Sequence, residues 1–335
     1  MKHMTRIALC AAFFVVFAAS AAFGQKLTLK IASIAPENTP WGAALNKLAS
    51  EWKTLTNGEI ELKVYHNGIA GSEADMLRKL KLGQIQGAVF TSFGLNEISP
   101  EVLTLSCPFL IRDNAELDLA LAGVRGDLEG KIEAKGFKIV AWSKAGWVRF
   151  FSKEPVFLPA QLKVQKLATD PNDMALMQAF KSLGYQLVPI PMGDTLMALN
   201  SGMVEAIYAS PLAVGGFQLF GIAKNMASLK LAPFLGGIVL SNKTWSRIPE
   251  KYRTQIVESN RRLEKELDAS ILKLEDDAIS TMSTYGLVTN QITPAQLKIW
   301  HEDVERGLPL VFGTSFDKVT YEKVNNILKK SRAAK

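Results

Sequence analysis

Short apolar strands alternate with amphipathic helices along this chain, and this alternation constrains the fold more than any other feature. Residues 27–33 and 60–65 alternate apolar and polar side chains as half-buried strands do, and residues 88–91 form a short apolar run. Between the second and third strands, Ser72 is the expected cap of a helix that Gly83 closes. Repeated βα units predict a mainly parallel sheet with helices on both faces.

A second βα series occupies the middle of the chain. Residues 164–169, 186–189 and 204–208 have strand-like patterns, and the helix that ends at Ser201 is followed by Gly202 as its expected terminator. Two series of this kind favour an α/β protein with more than one sheet unit.

A long helix is predicted from residues 249–285, which contain almost no helix breaker. A helix of roughly 35 residues spans about 50 Å, which is longer than one lobe of a protein this size. The run is therefore expected to cross two lobes. After about Ile327 the chain becomes a polar tail that is expected to fray.

The N-terminus has the pattern of a secretory signal peptide. Lys2 and Arg6 precede the uncharged residues 7–23, and cleavage is expected after Gly24, with Ala21 as an alternative site. A retained N-terminal anchor is the other reading of this segment. With residues 1–24 removed, about 310 residues remain, which is too many for one ordinary core and suits two lobes.

Composition excludes several classes of function. The net charge of +7 falls to about +5 once Lys2 and Arg6 are removed. The sequence has no block of basic residues with interleaved aromatics, so nucleic-acid binding is not predicted. Beyond the signal peptide, Cys107 is the only cysteine, so no internal disulfide is expected. His66 and His301 lack metal-ligand spacing, and no nucleophile elbow or phosphate-binding loop is present. The sequence thus predicts a non-enzyme without metal or cofactor; an exported hydrolase or a secreted adhesive protein is the alternative.

Several motifs follow one another in the order found in one transporter family. They are residues 29–40, 64–73, 81–87, 105–113, 183–192 and 198–205. With these motifs the chain resembles the DctP-type extracytoplasmic solute receptors of TRAP transporters. The resemblance implies a two-lobed α/β periplasmic-binding-protein fold, with a long helix bridging both lobes and a hinge that closes on a ligand. It also implies a periplasmic protein that delivers its ligand to a TRAP membrane permease.

The same resemblance implies a division of the chain into lobes. The signal peptide is residues 1–24. Lobe I is expected to comprise residues 25–145 and about 233–273, and lobe II residues 146–232 and about 274–327. Residues 328–335 are the polar tail.

Two arginines that ordinary members of this family carry on the second lobe are replaced here. In those members, one arginine lies in a Gly-x-Arg segment, and Val148 aligns with it. The other arginine lies in a Lys-Ile-Arg-Val segment and pairs with the substrate carboxylate, and Ala168 aligns with it. An ionised carboxylate buried without a partner has a large desolvation cost, so an apolar or amphipathic ligand is predicted. Arg149 is next to the first position, but successive strand side chains point to opposite faces. A small organic acid held by other polar groups is the alternative.

A branch of the family resembles this chain in three further segments, Pro211-Leu212, Phe217-Gln218 and residues 229–236. That branch is often associated with a tetratricopeptide-repeat subunit, which the resemblance adds as a second partner beside the permease.

The predicted ligand contacts lie at two places. Some follow the strands of the first series, because ligands of open α/β sheets bind beyond the carboxyl ends of strands. The others lie where the resemblance places ligand contacts in the second series. Together they are Trp41, Glu73, Thr91, Ser92, Phe93, Trp147, Val148, Phe150, Ala168, Thr169, Tyr208, Ser210, Pro211 and Phe234.

Overall fold

The computed structural model describes residues 26–169, 171 and 174–334, so the predicted signal peptide and its cleavage site lie outside the described residues. Its strands are β1 (Leu27–Ala32), β2 (Ile60–Tyr65), β3 (Gly87–Thr91), β4 (Phe137–Ser152), β5 (Lys166–Thr169), β6 (Gln186–Pro189), β7 (Ala206–Ala209), β8 (Asn225–Ala227), β9 (Ala232–Ser241) and β10 (Val288–Asn290). Its α-helices are α1 (Pro40–Leu55), α2 (Glu73–Lys81), α3 (Ser92–Asn96), α4 (Asn114–Ala134), α5 (Pro159–Lys163), α6 (Met174–Ser182), α7 (Thr195–Ser201), α8 (Pro211–Gly216), α9 (Asn242–Arg247), α10 (Glu250–Thr284), α11 (Pro294–Val311) and α12 (Lys318–Ala333). Among these helices, none is both long and apolar enough to cross a bilayer.

The strands form two sheet sections that share β4. In the first section the order is β2-β1-β3-β9-β4, and in the second it is β4-β7-β5-β6, with β8 beside β4 and β10 beside β8. The βα strands predicted from the sequence pair in parallel, β1 with β2 and β3, and β5 with β6 and β7. The long strands β4 and β9 are antiparallel to their neighbours, so the fold is mixed where it passes from one section to the other.

Strand β4 carries the chain from the first section into the second. It pairs with β9 from Phe137 to Val148, with an irregularity between Lys144 and Trp147, and then pairs with β7 from Arg149 to Ser152. Gly146 lies in the irregular segment with φ of +88°, a conformation that is strained for residues with a Cβ. The backbone therefore changes direction between the two sections at this glycine.

The predicted long helix is confirmed, since α10 runs for 35 residues from Glu250 to Thr284. One polar stripe of α10 accepts hydrogen bonds from the backbone of β4. Glu264 accepts from the Trp142 N–H at 2.6 Å, and Glu275 accepts from the Trp147 N–H at 3.0 Å. Glu275 also lies 3.8 Å from the guanidinium of Arg149, where β4 pairs with β7, so one helix contacts both sheet sections.

The C-terminal segment differs from the prediction of a fraying tail. Helix α12 continues to Ala333, with Leu328 fully buried, and Arg332 binds Glu116 of α4 at 2.7 Å. Val324, which lies in the part of the chain expected in lobe II, and Leu328 of the expected tail pack in the same cluster as Leu117 of α4. An apolar stripe inside a polar stretch therefore docks this helix on the first section.

Candidate functional site

The two sheet sections enclose a cleft that consists of three connected spaces. The Phe150 space, named after one of its aromatic wall residues, has a volume of about 660 Å³. The central space, which Glu73 lines, has a volume of about 680 Å³. The Trp41 space has a volume of about 720 Å³.

Strand ends supply much of the wall. Thr91 ends β3, Thr169 ends β5 and Ser210 follows β7, and all three line the central space. The carboxyl ends of parallel strands leave side chains and helix N-termini facing an open edge, which is where α/β sheets bind ligands. Local capping fixes these groups, since the Thr91 and Ser210 side chains accept from the Phe93 and Ala213 N–H groups.

An aromatic cluster separates the Phe150 space from the central space. The rings of Phe93 and Tyr208 are 6.2 Å apart and nearly perpendicular, and those of Phe93 and Phe234 are 5.8 Å apart. Phe93 comes from α3, Tyr208 from β7 and Phe234 from β9, so the cluster joins the first section to the second. Aromatic pairs in this geometry attract one another beyond their burial.

Among the described residues, Glu73 is the only charged side chain in the walls of the three spaces, and it lines the central space. It is 7% exposed, and its two oxygens accept from the Thr91 N–H at 2.5 Å and from the Thr91 hydroxyl at 2.8 Å. The carboxylate thus stabilises the end of β3 and gives this side of the cleft a negative charge.

Val148 and Ala168, which align with the two replaced arginines, lie in the cleft wall. Val148 lines both the Phe150 space and the central space, and Ala168 lines the central space. Both side chains are at least nine-tenths buried. In the described part of the chain, no lysine, arginine or histidine lines any of the three spaces.

Arg149 points away from the cleft, as the alternation along a strand predicts. Its guanidinium donates to the Ser228 carbonyl and lies 3.8 Å from the Glu275 carboxylate on α10. Burial raises the pKa of Glu275, against the lowering effect of the Trp147 N–H and of Arg149. Arg149 is therefore engaged with the bracing helix, and its charge is balanced there.

Three predicted contacts need correction, because the structure places them outside the walls of the three spaces. Trp147 is 1% exposed, and its indole N–H binds the Asn114 side chain at 3.1 Å behind the sheet. Ser92 is fully buried and bonds both backbone groups of Leu235. Pro211 is buried at the first turn of α8. The other predicted residues, Trp41, Glu73, Thr91, Phe93, Val148, Phe150, Ala168, Thr169, Tyr208, Ser210 and Phe234, line at least one space.

Sequence reasoning missed several apolar wall residues. Leu187 on β6 and Phe180 on α6 line the Phe150 space, and Met192 lines the other two. Met192 is the last residue of the Pro189-Ile-Pro-Met motif, and its place directly after a predicted strand was the available signal. Phe180 and Leu187 have the pattern of ordinary core residues, which gave no such signal.

Comparison with known proteins agrees with this architecture. The family model for DctP, bacterial extracellular solute-binding protein family 7, matches residues 31–310. The C4-dicarboxylate-binding periplasmic protein DctP of Rhodobacter capsulatus is 23% identical over 289 residues, which are 84% of this chain and 85% of the relative. The 2,3-diketo-L-gulonate-binding periplasmic protein YiaO of Escherichia coli is 27% identical over 208 residues, or 61% and 62% of the two chains.

Solved structures show the same fold. A TRAP periplasmic solute-binding protein of Sulfurospirillum deleyianum with bound succinate has a TM-score of 0.83 at 22% identity, covering 90% of this chain and 99% of that one. A protein of the same description from Xanthobacter autotrophicus with bound β-D-galacturonate has a TM-score of 0.81 at 22% identity, covering 89% and 98%. The fold of this chain is thus a two-lobed α/β periplasmic-binding-protein fold in which a long helix braces both halves.

Proposed function

The chain belongs to family 7 of the bacterial extracellular solute-binding proteins, and from this premise we propose that its ligand is an apolar or amphipathic small molecule. As a TRAP-type periplasmic receptor it binds a solute and does not convert it, so the hydrolase and the adhesive protein considered above are set aside. The proposal concerns what the cleft between the lobes selects.

One observation carries the proposal: the described walls of the cleft contain no cationic side chain. Val148 and Ala168 supply hydrocarbon at the positions aligned with the two arginines, and the nearest charge is the Glu73 carboxylate. A carboxylate ligand would lose its hydration without gaining a cationic partner, and it would face a like charge. Both effects disfavour small organic acids.

Burial of apolar surface supplies a large share of the free energy for capture. Removing ~300 Å² of apolar surface from water contributes ~7.5 kcal/mol before association costs. A micromolar dissociation constant needs ~8 kcal/mol beyond association costs of at least ~4 kcal/mol, so the ligand must bury roughly 500 Å² of apolar surface or add hydrogen bonds. The hydroxyls of Thr169 and Ser210 lie in the walls of the central space, where they can form such bonds, whereas the Thr91 hydroxyl already donates to Glu73.

Calorimetry with small acids tests the ligand class. We expect no binding tighter than about millimolar for succinate, malate, sialic acid or galacturonate, because each brings a carboxylate to a cleft without a cation. Native mass spectrometry of gently purified protein is expected to show a retained ligand of apolar or amphipathic mass. Sub-micromolar binding of any of these acids contradicts the proposal and favours the alternative, an organic acid held by other polar groups.

We place the division between the lobes where the two crossing strands leave the first section. Lobe I then comprises residues 25–145, about 233–273 and the C-terminal residues from about 312, and lobe II comprises residues 146–232 and about 274–311. The irregular segment of β4 around Gly146 supports this boundary. The packing of α12 on α4 supports assigning the C-terminal helix to lobe I.

Delivery to a membrane partner completes the proposed function. The receptor is exported by a signal peptide of residues 1–24 and passes its ligand to a TRAP membrane permease, with a tetratricopeptide-repeat subunit as second partner. Affinity capture of tagged receptor from the native cell envelope is expected to recover the permease and that subunit. The Ala168→Arg variant is the control, because its substitution lies inside the cleft and leaves the outer surface unchanged. Partners that bind the outer surface should be recovered with this variant as well. Repeated recovery of neither protein contradicts the proposed partners.

A further inference from the structure

We propose that Phe109 and His301 form a contact between the lobes that holds the receptor closed around its ligand. The inference goes beyond the ligand class and rests only on the proposed division into lobes. It is carried by a strained backbone conformation at Phe109, by the stacking of its ring on His301, and by the connection of His301 to the cleft wall.

Phe109 has an unusual backbone conformation. Its φ is +60°, in the left-handed region, which is an outlier for a bulky side chain. The other described non-glycine residues with positive φ are Asn57, Asn67 and Gln218, so Phe109 is the only apolar one among them. Strain of this kind destabilises the chain, and it persists only where the surrounding contacts determine the conformation.

This conformation turns the Phe109 ring out of lobe I and into lobe II. Cys107 and Leu110, on either side in the chain, are buried in the main core cluster of lobe I. The Phe109 ring instead packs against a core cluster of lobe II and stacks on His301 of α11, with ring centroids 4.1 Å apart. Its N–H donates to the Leu231 carbonyl at 2.8 Å. One residue of lobe I is thus held by lobe II through both its ring and its backbone.

Helix α11 connects this contact to the wall of the cleft. His301 directly follows Trp300, whose ring stacks on Phe150 with ring centroids 5.3 Å apart. Phe150 lines the space named after it, whereas Phe109 and His301 line none of the three spaces. The Phe109–His301 stack is therefore a positioning contact, which acts on the ligand site through α11 without touching the ligand.

The lobes touch one another at other places too, so the stack belongs to a closed arrangement. Phe93 of lobe I contacts Tyr208 of lobe II, with ring centroids 6.2 Å apart. A Cβ at Gly216 of lobe II would lie 3.1 Å from Cγ2 of Thr39 in lobe I. Opening of the cleft moves lobe I away from α11, so the open receptor loses the stack and the closed receptor keeps it.

Distances between spin labels on the two lobes test the proposal in the full mature protein. Ile69→Cys in lobe I and Met197→Cys in lobe II carry the labels, because both side chains are 69% exposed, while the native Cys107 is fully buried. Phe109→Gly tolerates the left-handed backbone and removes the ring, and His301→Ala removes the other ring. Each should raise the ratio of open to closed receptor roughly two- to tenfold, the contribution of one aromatic pair. The double variant should be no more open than the more affected single variant, because both changes remove the same contact.

Dissociation of N-phenyl-1-naphthylamine, an uncharged fluorescent probe, gives a second readout. Because closure retains a bound molecule, the probe should leave Phe109→Gly and His301→Ala faster by the same factor. His301→Phe restores a flat ring and should return both readouts to the wild-type values. If the wild-type protein does not bind this probe, the proposed ligand class is contradicted, and the label distances alone decide the interlobe contact.

Tyr321→Ala is the matched control, because it removes an aromatic pair within lobe I. The Tyr321 and Phe312 rings are 4.8 Å apart, and both pack on the core of that lobe. This variant should lower the melting temperature without changing the label distances or the dissociation of the probe. If Phe109→Gly and His301→Ala also lower only the melting temperature, the stack is merely structural and the proposed role in closure is refuted.

Discussion

Ala168→Arg is expected to weaken binding of an apolar ligand by at least about a hundredfold and to create measurable affinity for small carboxylates. Ala168 lies in the wall of the central space, and 7% of its surface is exposed. An unpaired guanidinium brought into this apolar wall costs several kcal/mol, about 3–5 by analogy with broken buried ion pairs. A carboxylate ligand supplies the partner, because the planar fork of arginine matches its two oxygens. Titration calorimetry with the retained ligand and with succinate measures both effects.

Val164→Arg provides the matched control for that substitution. Val164 precedes β5, and 71% of its surface is exposed, so the same charge is added near the same strand but in water. This variant should melt and bind as the wild-type protein does. If Ala168→Arg does not fold, Ala168→Lys and Ala168→Ser place smaller polar side chains at the same position and test whether it belongs to the ligand site. If Ala168→Arg instead folds and keeps full affinity for the retained ligand, Ala168 has no part in the ligand site.

Periodicity and breakers predicted the regular elements well where those elements depend on local sequence. Helix α10 matches the predicted run within a residue at each end, because nothing between Pro249 and Tyr285 interrupts it. Gly202 ends α7 with φ of +72°, the left-handed conformation expected of a helix terminator. Ser72 caps α2 in a reciprocal capping box with Asp75. In each case the deciding interactions lie within a few residues of one another.

Contacts between distant segments decided the remainder. Strand β4 runs for 16 residues because β9, some ninety residues later in the chain, pairs along most of its length. Trp147 lies on the face of β4 opposite Val148, as Arg149 does, so alternation along the strand places it outside the cleft walls. Its indole N–H binds Asn114, a contact between segments that are distant in the chain and that local pattern does not reveal.

A buried amide of helix α10 links α1 to β4, and removing this amide is expected to have a large effect on stability. Asn260 is fully buried; its nitrogen donates to the Val140 carbonyl and its oxygen accepts from the Trp52 indole, each at 2.9 Å. Asn260→Ala leaves both partners unsatisfied and opens a small cavity, so the free energy of unfolding should fall by about 3–5 kcal/mol. For a chain of this size that corresponds to a melting temperature lower by roughly 5–8 °C.

Asn200→Ala is the control for this loss, since Asn200 is exposed on α7 and its amide bonds only the Leu196 carbonyl of its own helix. The melting temperatures of the two variants should differ by most of the expected shift, because an exposed substitution of this kind changes the free energy of unfolding by no more than about 0.5 kcal/mol. Ligand affinity at low temperature should be the same in both, as Asn260 lies in the outer cluster of α1, β4 and α10 and not in the cleft. Equal melting temperatures mean that the amide is dispensable and that apolar packing alone fixes α10 to the sheet. A lower affinity without a lower melting temperature instead means that α10 controls how the two lobes close on the ligand.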